Sequence, residues 1–332
     1  MPARSLQVIA GLVAGLFAAE AAIRLCTHPS LDYASIFRPG PYCQDPELGL
    51  TSACPGWSGF MLTAGMHRYV PVKLNSLGYR GPFQSPGPEG GRRKVVVIVG
   101  GQSQGFGFGL LDRETYPFAA AKYGSCGSYE VHNISFVGLA NTVSWHFFER
   151  DVLRRYRPDH VILAVYTREA RPDPATDLRD YSANARGNGY AYGWRFEVPR
   201  WLPDLGRSSH AVIRLAGAVS EGRHALNRWL GVPPPAAPTV PALSRDIVRD
   251  YSDRTRRLNA AFSLLILPWG APTQDERFKA ELKDFRVVDT HEGVLAAGLQ
   301  SDFLADGHYG SKQADLIGRM LASEICAVDF PK

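Results

Sequence analysis

Apolar positions along the 332-residue chain fall into three regimes. The first is a run without a polar break from Val8 to Ala19, inside the segment LQVIAGLVAGLFAAEAAIRLC at residues 6–26, with Arg4 before it. About 20 apolar residues cross a hydrocarbon layer as a helix, so a transmembrane anchor is expected at residues 1–27. Only Gln7, Glu20 and Arg24 interrupt it. Glu20 and Arg24 stand four apart and share a helical face, which lets them pair near the interface. Gly11, Gly15 and Ala19 form a ridge of small residues of the kind that lets helices approach closely in lipid. Two other readings compete with the anchor. One is a cleaved signal peptide, for which Ala19, Glu20 and Ala21 offer small residues at the cleavage position. The other is a buried helix of a soluble fold. Cys26 is not a lipoprotein site, since Arg24 and Leu25 stand where small residues are needed.

The second regime, residues 28–93, is rich in Pro, Gly and aromatics and holds few periodic runs. It reads as an extended, partly stranded lead-in. From Lys94 the pattern changes to short, continuous, β-branched runs, the mark of strands buried on both faces. KVVVIV at Lys94–Val99 comes first, followed by YEVHNI at Tyr129–Ile134 and HVILAVY at His160–Tyr166. SLLILP at Ser263–Pro268 and RVVD at Arg286–Asp289 complete the set. Helical periodicity separates them at Thr115–Tyr123, Val143–Tyr156, Leu243–Phe262 and Asp275–Phe285, and a last helix is expected over Ser311–Cys326. Alternating strands and helices predict an α/β domain over residues 94–330, with a parallel sheet covered on both sides. Residues 170–242 break the rhythm with a polar stretch, a helical pattern at Ser208–Leu230 and the stiff linker VPPPAAPTVP. This reads as an insertion: a lid, a partner-binding face or a plain surface excursion.

Composition narrows the function classes. With 45% apolar and 21% charged residues the chain has material for a sizeable core, and wholesale disorder is excluded. Lys and Arg total 37 against 32 Asp and Glu, a net charge of +5. With no run of five like charges, that excess argues against nucleic acid as a partner. The five cysteines lack C-x-x-C spacing and the nine histidines form no zinc-binding cluster, so no metal or other cofactor is expected. Export past residue 27 allows cysteines to pair. Cys43 and Cys54 can close a small loop, leaving Cys126 and Cys326 as a second pair, although four cysteines allow three connectivities.

The stretch that carries chemistry is GGQSQGFGFG, which begins at Gly100 directly after the first buried strand. Glycines let the chain turn sharply there, so Ser103 emerges at the C-terminal edge of the sheet, where amide N–H groups can stabilise an oxyanion. A dinucleotide loop fits poorly, since G-x-G-x-x-G is not met and no acidic residue follows the second strand. A P-loop is excluded by the lack of G-K-[ST]. Near the other end, Asp306-Gly307-His308 precedes the final helix. A histidine beside a carboxylate at an edge loop can act as base while the acid orients it, and with Ser103 this completes a Ser/His/Asp set.

These blocks resemble the SGNH hydrolases, the GDSL esterase and lipase superfamily, over residues 75–326. NSLGYRGP at Asn75–Pro82 looks like the lead-in of membrane-anchored bacterial members, which also begin with an apolar helix carrying a pattern like Glu20 and Arg24. KVVVIVGGQSQGFGFGLLDRETYP is similar to the first block, with Ser103 as the implied nucleophile. VHNISFVGLANT is similar to the second, with Gly138 as an implied oxyanion donor. PDHVILAVYTRE falls on the third block and ADGHYGSKQADLIG on the fifth. The resemblance implies a doubly wound, three-layer fold, SGNH or flavodoxin-like, with a five-stranded parallel sheet. The chain also departs from the family pattern. Gln102 stands where the family has Asp, a change some carbohydrate acetylesterases of the superfamily share. Arg168 stands where an Asn completes the oxyanion hole, and losing one such donor costs about 2.7 to 4 kcal/mol of transition-state stabilisation. Arg168 or Asn141 can supply the missing donor. The acid lies two residues before the histidine rather than three.

Two expectations from different classes follow. The first is a bacterial inner-membrane protein with one span and its main domain in the periplasm, acting as an ester hydrolase or acyl transferase on an envelope glycan or other acyl ester. Ser103, His308 and Asp306 would do the chemistry. The second is a catalytically reduced scaffold subunit of a multisubunit membrane complex, engaging partner helices through Gly11, Gly15 and Ala19.

Overall fold

The computed structural model describes residues 3–26, 37–38, 41–45, 47, 51–62, 69–86, 93–137, 141–166, 222, 226, 229–231, 245–268, 279–280, 282–304 and 307–328. The insertion at 170–242 lies outside these residues except at 222, 226 and 229–231. Of the helix expected at Asp275–Phe285, residues 275–278 and 281 lie outside, 279–280 are helical, and 282–284 form a turn rather than helix. Helix α1 (Ala3–Cys26) covers the apolar N-terminal run. Strands β1 (Phe37–Arg38), β2 (Tyr42–Gln44), β3 (Thr51–Ala53), β4 (Ser58–Leu62), β5 (Tyr69–Lys73) and β6 (Arg80–Gln84) follow. The α/β body comprises β7 (Lys94–Gly100), α2 (Gln102–Phe106), α3 (Tyr116–Lys122), β8 (Tyr129–Ile134) and α4 (Asn141–Phe147). Helix α4 continues as a π-helical stretch over Phe148–Tyr156, where Arg150 and Asp151 are both buried. Then come β9 (His160–Tyr166), α5 (Arg245–Arg256), β10 (Ala261–Leu267), β11 (Val287–Asp289), α6 (Thr290–Ala296) and α7 (Ser311–Ala327).

Five strands, β7 to β11, pair in parallel in the order β11-β10-β9-β7-β8. In chain order this is 2-1-3-4-5, so the winding reverses between β7 and β9. The sheet is nonetheless mixed and six-stranded. Contrary to the expectation of five parallel strands, β6 adds antiparallel to β8 at the edge, with a register shift between Arg80 and Phe83. The chain before Lys94 had too little periodicity to reveal that strand. Along β7, Val97 and Val99 enter one core, whereas Val96 and Ile98 enter the other. The first core contains Phe147, Phe148 and Val152 with Ile247, Val248 and Tyr251 of α5. The second contains Tyr116 and Ala120 of α3 with Ile317 and Leu321 of α7. Helices α3 and α7 approach closely, since a Cβ on Gly318 would meet the Ala119 Cβ at 2.3 Å.

The lead-in forms strands and joins the core where described. β1, β4 and β5 form an antiparallel sheet, and β2 pairs with β3. Trp57, Met61, Val70 and Val72 join the first core. Both expected disulfides are present. Cys43–Cys54 ties β2 to the turn after β3, and Cys126–Cys326 ties the loop before β8 to the end of α7. The helix expected through Phe262 ends instead at Arg256, because Asn259 takes a left-handed conformation (φ 57°) and turns the chain into β10.

The expectation of a membrane-spanning helix requires correction. Among the described residues no helix is long and apolar enough to cross a membrane. The helix itself is there, and its described apolar side chains are exposed, with Phe17 at 73% and Val8 at 62%.

At the opposite edge from the candidate site, buried His160 begins β9, with Nε2 2.9 Å from the Ser263 hydroxyl, which donates to Glu324 at 2.7 Å. Burial, and secondarily the Arg286 charge, push the imidazole pKa from 6.5 down to about 3. Above pH 6.5 the ring is neutral in both folded and unfolded chains. As pH falls towards 3, the unfolded chain takes up a proton the folded one refuses, so stability is lost at up to about 1.4 kcal/mol per pH unit. Denaturant melts between pH 7 and pH 4 are expected to show a steeper loss for the wild type than for His160→Gln. Equal slopes would show that His160 does not carry this acid sensitivity.

Candidate active site

Ser103 follows β7 at the reversal of strand order, where the open edge of a parallel sheet makes a crevice. Three residues in succession have positive φ there: Gly100 (86°), Gly101 (69°) and Gln102 (39°). Glycine tolerates this conformation, but glutamine adopts it at a cost of about 1–3 kcal/mol, and such strain collects at functional turns. A strand, a strained turn and a helix with serine near its start form the same arrangement as a nucleophile elbow. Ser103 is half-buried at the second position of α2.

The neighbouring strands hold the turn in place. The Gly101 amide donates to the Ala164 carbonyl at 2.8 Å, which extends the β7–β9 pairing. At the end of β9, the Tyr166 hydroxyl donates to the Gly101 carbonyl at 2.6 Å and accepts the Gln104 amide N–H at 3.2 Å. From the end of β8, Asn133 donates to the Gly105 carbonyl at 2.8 Å, and the Ser135 hydroxyl lies 2.5 Å from the Gly100 carbonyl. Gly105 is required at its position, since a Cβ there would sit 2.4 Å from the Ser135 hydroxyl and 2.7 Å from the Gly100 carbonyl.

His308 arrives from the loop between α6 and α7. Its ring packs on Phe108, centroids 4.5 Å apart. The Gln104 side chain spans the residues on either side of it, accepting from the Tyr309 amide at 2.8 Å and donating to the Gly307 carbonyl at 3.4 Å. The Tyr309 hydroxyl in turn donates to the Pro268 carbonyl just past β10, at 2.7 Å. The turn carrying Ser103 and the loop carrying His308 therefore meet at one rim of the sheet. Asp306, Gly138 and Arg168 lie outside the described residues. Asn141 begins α4, and its side chain is likewise outside them.

One organising residue had no signal in the sequence beyond its place in NSLGYRGP. Arg80, fully buried at the start of β6, donates Nη1 to the Phe106 and Gly107 carbonyls at 2.9 and 2.8 Å and Nη2 to the Leu110 carbonyl at 2.6 Å. Its Nε pairs with Asp112 at 2.5 Å. Burial lowers its pKa below the ordinary guanidinium value, and the Asp112 carboxylate opposes that shift. Phe108, which packs on His308, belongs to the loop Arg80 holds. The preceding Tyr79 turns the other way and donates to Asp151, while Asn75 accepts the Leu77 and Tyr79 amides at 2.9 and 3.1 Å.

Among the described residues no cluster of His, Cys, Asp or Glu is arranged to hold a metal ion. A shallow cavity of about 470 Å³ lies between the Arg113–Glu114 turn and the start of α7, lined also by Leu299, Lys312 and Arg319, and neither Ser103 nor His308 lines it.

No family model matches the chain, and no curated protein matches it either. A solved structure described as a "putative GDSL-like lipase" from Bacteroides ovatus ATCC 8483 aligns at 10% identity and a TM-score of 0.32. The alignment covers 72% of this chain and 100% of that one. A likeness this remote does not decide the family, so the site rests on its own geometry.

Replacing Arg80 by methionine should strip the guanidinium donors from three buried carbonyls, leave Gly107 with the Leu110 N–H alone, and cost roughly 3 kcal/mol. The expected result is a lowered denaturation midpoint, with faster hydrogen exchange across residues 106–112. A variant as stable as wild type would show that the loop does not depend on the guanidinium.

Proposed function

We propose that this protein is a serine esterase or acyl transferase of the SGNH type, held at a lipid surface by α1 and working on acyl esters in an exported, oxidising compartment. The observation that carries the chemical part is the meeting of the Ser103 turn and the His308 loop at the point where the strand order reverses, bridged by Gln104. In this reading the Ser103 hydroxyl attacks the ester carbonyl carbon while His308 takes its proton. The N–H groups of Ser103 and Gly138, with Arg168 or Asn141, hold the oxyanion. As the tetrahedral intermediate collapses, His308 returns the proton to the departing alcohol and leaves an acyl-Ser103. Water or an acceptor hydroxyl then removes the acyl group by the same steps in reverse, and Asp306 orients the imidazole throughout.

Two features support the exported location. Disulfides persist in oxidising compartments, and this fold carries two. An apolar helix with exposed Val8, Ile9, Val13 and Phe17 favours burial in lipid over water. A bacterial inner-membrane location with the domain in the periplasm is part of the same proposal.

A fluorophosphonate probe should label the wild type at Ser103. Labelling should vanish in Ser103→Ala and fall by about 10³-fold or more in His308→Ala. A folded wild type that resists the probe would overturn the esterase and favour the scaffold reading. For the tether, the full chain should sediment with membranes and require detergent for release, whereas a chain lacking residues 1–26 should stay in the supernatant. Release of the full chain by salt alone would sink the tether.

A further inference from the structure

We propose that Gln104 is the positioning residue of this site, its side-chain amide setting the His308 imidazole against the Ser103 hydroxyl. The inference rests on the ester-chemistry reading above and adds a residue to it. Gln104 adjoins the nucleophile and is only 3% exposed, so its rotamer is fixed by packing rather than by solvent. Its amide accepts from the residue after His308 and donates to the residue before it. Among the described residues no other side chain hydrogen-bonds the backbone of Gly307 or Tyr309.

Both ends of the link are anchored. The Gln104 main-chain N–H is held by Tyr166 from the end of β9, and Tyr309 is held to Pro268 past the end of β10. The relative placement of nucleophile and base is thus tied, through one side chain, to the register of three parallel strands. A primary amide suits this role because one planar group both donates and accepts. A carboxylate in its place would still accept from Tyr309 but would oppose the Gly307 carbonyl. The loop also carries its acid only two residues before the imidazole, and Gln104 holds that imidazole from the side of the nucleophile's own turn.

The test uses the full chain with Gln104→Glu and Gln104→Met, reading three quantities. These are the rate of fluorophosphonate labelling against probe concentration and pH, hydrogen exchange at the Tyr309 amide, and the His308 imidazole resonance. In Gln104→Met, Tyr309 exchange should accelerate and the limiting labelling rate should fall by about 10²-fold, the order expected for a misplacement near 1 Å. The half-saturating probe concentration should stay unchanged while the pH midpoint of labelling moves. Gln104→Glu should keep the Tyr309 protection and lose about tenfold in rate. A merely structural glutamine would lower the melting temperature yet leave rate, midpoint and imidazole resonance of the folded molecules as in wild type, and that result overturns the proposal. If the wild type itself resists the probe, the ester reading falls separately and the imidazole resonance decides. A shifted or split signal in Gln104→Met sustains the hold on His308, and an unchanged one refutes it.

Discussion

A guanidinium with no exposure to solvent sits beneath the loop that follows the candidate nucleophile. Burying a charge is expensive unless nearly all its donors are matched, and Arg80 meets that condition with three carbonyls and one carboxylate. Residues 106–111 carry no polar side chain, with glycine at 107 and 109, so their carbonyls depend on donors from elsewhere. The fork of Arg80 supplies three of those donors. It binds carbonyls, so the loop's identity matters less than its path. The adjacent Tyr79 projects to the opposite side of β6 and meets the buried Asp151, which Arg150 also holds. One short motif therefore clips the edge strand to both layers of the domain.

From that clip the structure passes to the site in two steps. The ordered loop brings Phe108 against His308, and the Gly100–Gln102 turn delivers Ser103 to the same rim. Both depend on the topology, because the reversal of winding between β7 and β9 leaves the crevice uncovered by a crossover helix. Chemistry at such a place needs rigid support more than it needs a particular fold family. The hydrogen bonds of Tyr166, Asn133 and Ser135 provide it from the neighbouring strands.

The N-terminal region shows how pattern and fold diverge. Apolarity along residues 6–26 predicts a helix, and a helix forms. Its described apolar side chains stay exposed, because apolarity along the chain sets the element and not what it packs against. The lead-in had the opposite fate. Its partly stranded character was legible, but its proline and glycine content hid where the short strands β1 to β6 lie and that Trp57, Met61 and Val72 are as buried as the sheet itself.

Read alone, the sequence located the five strands that pair in parallel, helices α3, α4, α5 and α7, and Ser103 as a candidate nucleophile. Continuous β-branched runs and glycine-rich turns are local signals that burial and backbone freedom impose directly. Of the three connectivities the cysteines allow, the one the sequence offered first is the one formed, with one bridge joining residues 200 apart. The roles of Arg80, Gln104 and β6 were decided only by tertiary structure. Each acts through hydrogen bonds to main-chain atoms distant along the chain, and a carbonyl or amide looks the same whatever side chain it carries. No residue type at the receiving end marks the contact, so only the folded arrangement reveals it.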